Sequence, residues 1–169
     1  MKYKSINEKN HIEYHDATIK SFSIKDHSMH WVVDDINATK DNTQNDFPED
    51  MRILGCHIDF EDVQIDEIIF SAWSQFDANG HLVKSEPARS ADPSEFTTIL
   101  KETMKSWCSI QDISVLAETN DGRDRISICL DGQVGIYDLN ISYRTFIAQW
   151  DEYAGKAWYE EDQWKNRSR

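Results

Sequence analysis

Four histidines fall within the first thirty residues: His11, His15, His27 and His30, with Asp16 directly after His15. Imidazoles with a carboxylate make a ligand set for zinc and related metals, provided three or four converge. Nothing in this stretch has the helical spacing that would force convergence, so the alternative is a set of exposed or edge-strand histidines. His15 and Asp16 could also act as a base and its orienting carboxylate. Neighbours on a strand point to opposite faces, however, so Asp16 is better read as closing the turn into the first strand. Cys108 and His57 are a conceivable nucleophile and base. Nothing local activates either, and a free cysteine is more often a small buried hydrophobe.

Asp41, Thr43 and Asn45 echo a calcium loop. Asp46 stands at the sixth position, where that loop needs Gly, and Arg52 at the twelfth, where it needs Glu. The chain contains no G-x-G-x-x-G, no G-x-x-x-x-G-K-[ST], no G-x-S-x-G and no H-E-x-x-H. It is therefore read as a binding protein rather than an enzyme, with no metal and no cofactor expected.

The densest chemistry is acidic. Between residues 34 and 67 the only bases are Lys40 and Arg52, against eleven acids, a local charge of −9. Ten of those acids form the candidate partner-binding set: Asp34, Asp35, Asp46, Glu49, Asp50, Asp59, Glu61, Asp62, Asp66 and Glu67. They are interleaved with apolar strand residues, so they are expected to line one face or edge of a sheet. A rigid acidic face with aromatics beside it suits a basic protein. The bland alternative is a solvated face that keeps the chain soluble.

The elements that must position these groups follow from periodicity. Residues 16–36 read as a hairpin, with Ala17, Ile19, Phe22 and Ile24 on one strand and Met29, Trp31 and Val33 on its return. The phase break in the first strand predicts a bulge. Residues 37–50 read as a loop, and 52–62 and 63–73 as strands. Asp92, Pro93 and Glu95 spell a helix start with a capping box, and Phe96, Ile99, Leu100, Met104 and Trp107 share one helical face. Strands follow around Ile113–Ala117 and Ile126–Leu130, with a third from Val134, turned by Asn120-Asp121-Gly122 and Asp131-Gly132. Gly135 and a further phase shift suggest a second bulge there. A second helix is expected from Tyr143 to Glu160, with Phe146, Ile147, Trp150, Tyr153, Ala154, Ala157 and Trp158 as its apolar stripe. The expected fold is α+β: an antiparallel sheet of about seven strands with two main helices packed on it. One domain spans 1–169, with 1–13 and 163–169 flexible.

Composition bounds the partners. The net charge is −13 over 169 residues. Such a chain repels nucleic acid and anionic membranes and attracts basic proteins. The three cysteines, Cys56, Cys108 and Cys129, are odd in number and none is paired at C-x-x-C spacing, so neither a disulfide scaffold nor a zinc knuckle is expected. No signal peptide and no membrane span are read, which points to the cytoplasm.

The segment Tyr14-His15-Asp16-Ala17-Thr18-Ile19, opening a hairpin that carries Trp31, resembles small bacterial domains. So does the aromatic end, Trp150-Asp151-Glu152-Tyr153 with Ala157-Trp158-Tyr159-Glu160. Together with the charge, these segments make the chain similar to the immunity proteins of bacterial toxin systems, including contact-dependent growth inhibition and other polymorphic toxin loci. The resemblance implies a protein that binds its cognate toxin domain, often a nuclease, and blocks its active site. The free protein is then expected to be a monomer or weak dimer. The alternatives are a small metal-dependent enzyme built on the N-terminal histidines, or a non-catalytic subunit of a larger assembly.

Overall fold

The computed structural model describes residues 1–161. In chain order, β1 (Tyr3–Ile6) and β2 (Ile12–Glu13) precede a long hairpin of β3 (Ala17–Lys25) and β4 (Ser28–Asp34), and β5 (Ile36–Ala38) follows at once. After a loop come β6 (Met51–Ile53), β7 (Cys56–Glu61) and β8 (Gln64–Phe70). A short hairpin of β9 (Trp73–Phe76) and β10 (Leu82–Glu86) follows, then β11 (Arg89–Ser90) and helix α1 (Phe96–Thr103). The chain continues through β12 (Cys108–Leu116), β13 (Asp124–Gly132), β14 (Gly135–Tyr143), β15 (Thr145–Trp150) and β16 (Tyr153–Lys156).

Ten strands form one antiparallel sheet in the order β1-β15-β7-β4-β3-β12-β13-β14-β8-β11. Four more, β16-β6-β5-β2, make a small second sheet, and β9 pairs only with β10. The large sheet does not lie flat. At its middle, β3 and β12 share just two paired positions, Thr18 with Ser109 and Ala17 with Ile110. Directly beyond them each strand bulges, at Lys20 in β3 and at Gln111 in β12. Bulges sharpen local twist, and the two half-sheets turn their apolar faces toward each other.

The proof of that curl is aromatic. Phe60 on β7 meets Tyr143 on β14 edge-on, with ring centroids 5.0 Å apart, although the strands lie five places apart in the sheet. Phe60 also meets Trp31 at 5.5 Å and Phe146 at 5.5 Å. Alternation selects these residues: Met29, Trp31 and Val33 on β4 and Cys56, Ile58 and Phe60 on β7 are buried, while the residues between them face outward. The small sheet adds Ile12, Ile36 and Ile53 to the same core. Helix α1 closes the other end with Phe96 and Leu100, and Thr103 shares a 2.8 Å hydrogen bond with the buried Tyr137 hydroxyl.

The expected α+β fold with two main helices is corrected to a mainly β fold with one eight-residue helix among the described residues. The capping box is present: the Asp92 carboxylate accepts from Ser94 N–H, and Glu95 accepts from Asp92 N–H. No helix spans 143–160; that stretch is the end of β14, then β15 and β16, closed by a single 3-10 turn at Trp158–Glu160. Phe146, Ala148 and Trp150 alternate inward, leaving Ile147 outside, and Gly155 takes φ +140, which no helix accommodates. Aromatic residues four apart fit both periods, and pairing of β15 with β7 and β1 decided between them. Nor does β14 bulge against β13, since that ladder runs unbroken from Gly135 to Tyr143. Residues 1–13, expected loose, contain β1, which pairs with β15, and β2, which pairs with β5. The tail 163–169 lies outside the described residues.

Phe60→Ala removes the ring that joins the half-sheets, and is expected to cost about 3–5 kcal/mol by denaturant titration. The outward-facing change Val32→Ala should cost under about 1 kcal/mol. The β3–β4 turn places both Asp26 and His27 at positive φ, 51° and 62°. His27→Gly relieves the second of these in a type I′ turn, and should stabilise by about 0.5–1 kcal/mol in the same titration.

Candidate docking surface

The carboxylates contiguous in sequence at 34–67 are divided among separate places. Asp34 ends β4, accepts Gly55 N–H at 2.6 Å and pairs with Lys20 at 3.4 Å. Asp35 stands in the following turn, 3.8 Å from Arg52. In the 39–50 loop, Glu49 binds Lys156, while Asp50 accepts Lys40 N–H at 2.7 Å and the Tyr159 hydroxyl at 3.0 Å. Asp46 is exposed in the same loop. That loop is held from within: Asn45 donates to the carbonyls of Ala38, Thr39 and Glu49, and Asn42 donates to Ser5 Oγ. Its amides therefore serve as staples rather than cation ligands.

Asp59 and Glu61 project from the outer face of β7. Asp59 lies 2.6 Å from His30 Nδ1, and the His30 and His57 rings are 5.3 Å apart, while Glu61 is exposed at the strand end. Asp62 belongs to a different group. It turns the chain at φ +52 and pairs with Arg123 at 3.0 Å and Arg144 at 3.1 Å. Arg123 also holds Asp121 at 2.9 Å, with its own side chain only 9% exposed. Asp66 accepts from Arg125 and from Ser142 Oγ, both at 3.0 Å, and Glu67 accepts Ser90 Oγ at 2.8 Å. Eight of the ten acids thus have a partner within the chain, and they occupy several faces.

The N-terminal histidines do not converge. His15 sits 3.0 Å from the Gln111 carbonyl, His30 is with Asp59, His27 is in a turn, and His11 lies 3.7 Å from Glu8. Among the described residues no three His, Cys, Asp or Glu side chains are grouped to hold a metal ion. Cys108 and His57 also fail as a pair. Cys108 is buried in the core and His57 faces outward, and burial together with Asp131 pushes the Cys108 thiol up to about 12, which keeps it protonated.

A different acidic group emerges from strand register. On the outer face of the second half-sheet, Asp112 of β12 stands opposite Cys129 of β13, which stands opposite Asp138 of β14. Asp131 follows two residues along β13 on the same face. Burial, then Asp138, Asp112 and Asp131, push the half-buried Cys129 thiol up to about 11, as expected where carboxylates crowd one site. Asp112 accepts Ser114 Oγ at 2.8 Å. None of the three carboxylates forms an ion pair with a described base. The sequence signal for this group was available, because polar positions of three neighbouring hairpin strands recur at period two. Choosing it required the register.

Beside that face stands the β9–β10 arm. Each residue of both strands is exposed, including Trp73, Phe76, Leu82 and Val83. A two-stranded hairpin is marginal in water alone, and this one keeps four large apolar side chains there.

No family model, curated protein or solved structure matches the chain. No helix among the described residues is long and apolar enough to cross a membrane.

The Asp62–Asp121–Arg123–Arg144 knot generates a pH-dependent prediction. The hydrogen bond from Thr119, then those from Arg123, hold the Asp121 carboxyl below its ordinary 3.8. A depressed carboxyl stabilises the fold above the unfolded value and loses that contribution as pH falls through the folded one. Arg123→Ala should therefore lower the melting temperature near pH 7, and the gap to the parent should narrow in melts taken below about pH 3.8.

Proposed function

We propose that this chain is an immunity protein: a cytoplasmic, stoichiometric inhibitor that binds a basic toxin domain encoded beside it and covers that domain's active site. The observation that carries the reading is the distribution of unneutralised charge. Residues 1–161 contain thirty acids and fifteen bases, and at least eleven of those bases are already committed to ion pairs within the chain. The excess left for a partner is carboxylate, and Asp112, Asp131 and Asp138 form one group of it on a single face.

A surface of that kind repels phosphate backbones and anionic lipid. It favours a partner that carries its own excess of Lys and Arg, and a nuclease with a groove shaped for phosphates fits that description. The field accelerates encounter, while apolar side chains such as those of the arm supply residence time. Inhibition requires no chemistry from the bound chain, only occupancy.

The test is protection. The gene adjoining this one is expressed in a bacterial host with and without this chain. Its product is expected to be basic and toxic alone and harmless together, to elute with this chain as a one-to-one complex, and to bind with Kd of about 1 nM. Affinity should fall at least about tenfold between roughly 50 and 500 mM salt. A neighbour that is neither toxic nor bound, or a complex that gives no protection, overturns the reading.

A further inference from the structure

We infer that the groove at the foot of the β9–β10 arm receives an apolar anchor of the partner, and that Asp131 and Asp138 receive basic side chains flanking that anchor. The inference rests on the reading of the chain as the binder of a basic protein, and adds to it a seat and a recognition chemistry.

The groove is open to solvent and has a volume of about 540 Å3, within the range of sites that hold a small ligand. Three elements wall it: Phe70 and Trp73 where β8 passes into the arm, Ile99 on α1, and Val134 and Ile136 at the β13–β14 turn. Trp73 is 43% and Ile136 46% exposed, so an inserted aliphatic or aromatic group takes both out of water. The charges within the groove are already engaged. Glu86 pairs with Lys84 at 2.7 Å and Glu102 with Lys105 at 2.6 Å, and Arg89 stacks 4.4 Å over the Phe70 ring.

The charge left to a ligand lies to one side. Ile136 is paired across the ladder with Asp131 and is two residues from Asp138 along β14, so all three share a face. That asymmetry selects the occupant. A segment with one large apolar residue, and Lys or Arg a few positions away, fills the groove and neutralises both carboxylates. A neutral small molecule leaves the carboxylates unused. A second copy of this chain would bring further carboxylates to the same face, and like charges there repel.

The probe is a displayed library of random peptides of about twelve residues, selected on the full chain. Three double variants are compared with the parent: Trp73→Ser with Ile136→Ser in the groove, Asp131→Asn with Asp138→Asn beside it, and Glu118→Gln with Glu152→Gln elsewhere. Each substitutes exposed or half-exposed side chains, and melting temperatures within about 3 °C of the parent verify folding. Enriched peptides are expected to combine an apolar anchor with nearby bases. Their consensus should bind at least about tenfold more weakly to each of the first two variants and unchanged to the third. Enrichment without bases, or consensus binding that the groove variant leaves intact, overturns the inference. The same variants in the protection assay separate the two readings. Full protection by the groove and Asp131/Asp138 variants rejects this seat and leaves the immunity reading standing. Groove-dependent peptide binding with no bound toxin keeps the seat and rejects the immunity reading.

Discussion

Only two ladder pairs, Thr18 with Ser109 and Ala17 with Ile110, make the strand pairing between the halves of the large sheet. Everything else depends on how little that seam constrains. Had β3 and β12 paired along their full lengths, ten strands would have formed a broad twisted sheet with an apolar face and nothing large enough to cover it. One eight-residue helix cannot do so. The two antiparallel strands overlap only at their first residues, and the bulges beside the seam, at Lys20 against β4 and at Gln111 against β13, sharpen the local twist, so the sheet covers itself. Trp31, Phe60, Tyr143 and Phe146 then meet across the fold rather than facing solvent. The hydrophobic effect pays for the bend, since each of these side chains removes an aromatic surface from water.

Self-coverage has an electrostatic consequence. When the sheet curls, the tips of its hairpins converge, and the chain places its arginines there. Arg123 and Arg144 tie Asp62 to Asp121, and Arg125 ties Asp66. A carboxylate at a converging turn needs a counter-charge because its hydration is reduced. A carboxylate on the open outer face does not, because water reaches it. Bases are thus drawn toward the turns and ends, and the outer face of β12, β13 and β14 keeps its acids unpaired. The acidic face is what the fold leaves over after its own charge requirements are met.

This explains what could be read from the chain and what could not. Hairpins were legible because alternation and turn residues are local: Met29, Trp31 and Val33 announce one strand, and Asp131-Gly132 one turn. The start of α1 was legible from Asp92, Pro93 and Glu95 for the same reason. The segment from Tyr143 was not, because Phe146, Trp150, Ala154 and Trp158 satisfy the helical period as well as Phe146, Ala148 and Trp150 satisfy the strand period. The contact that decides is with β7, more than eighty residues earlier in the chain. The candidate site has the same history. Acids close in sequence, from Asp34 to Glu67, are dispersed by the strands that carry them. Asp112, Asp131 and Asp138 fall on three successive strands, and it is the register of β12, β13 and β14 that sets them on one face.

The arm closes the physical argument. Trp73, Phe76, Leu82 and Val83 add nothing to the core, yet they occupy strands that only pair with each other. Apolar groups kept in water cost solubility and invite aggregation, and a chain with a net charge of −13 can tolerate them because copies repel one another. The same charge that keeps identical copies apart draws an oppositely charged protein in. Long-range attraction and short-range apolar contact then act in sequence on one partner: the field governs how often it arrives, and burial at the foot of the arm governs how long it stays. Charge and exposed aromatic surface, each a liability in isolation, select together for a partner that is basic and carries an apolar anchor.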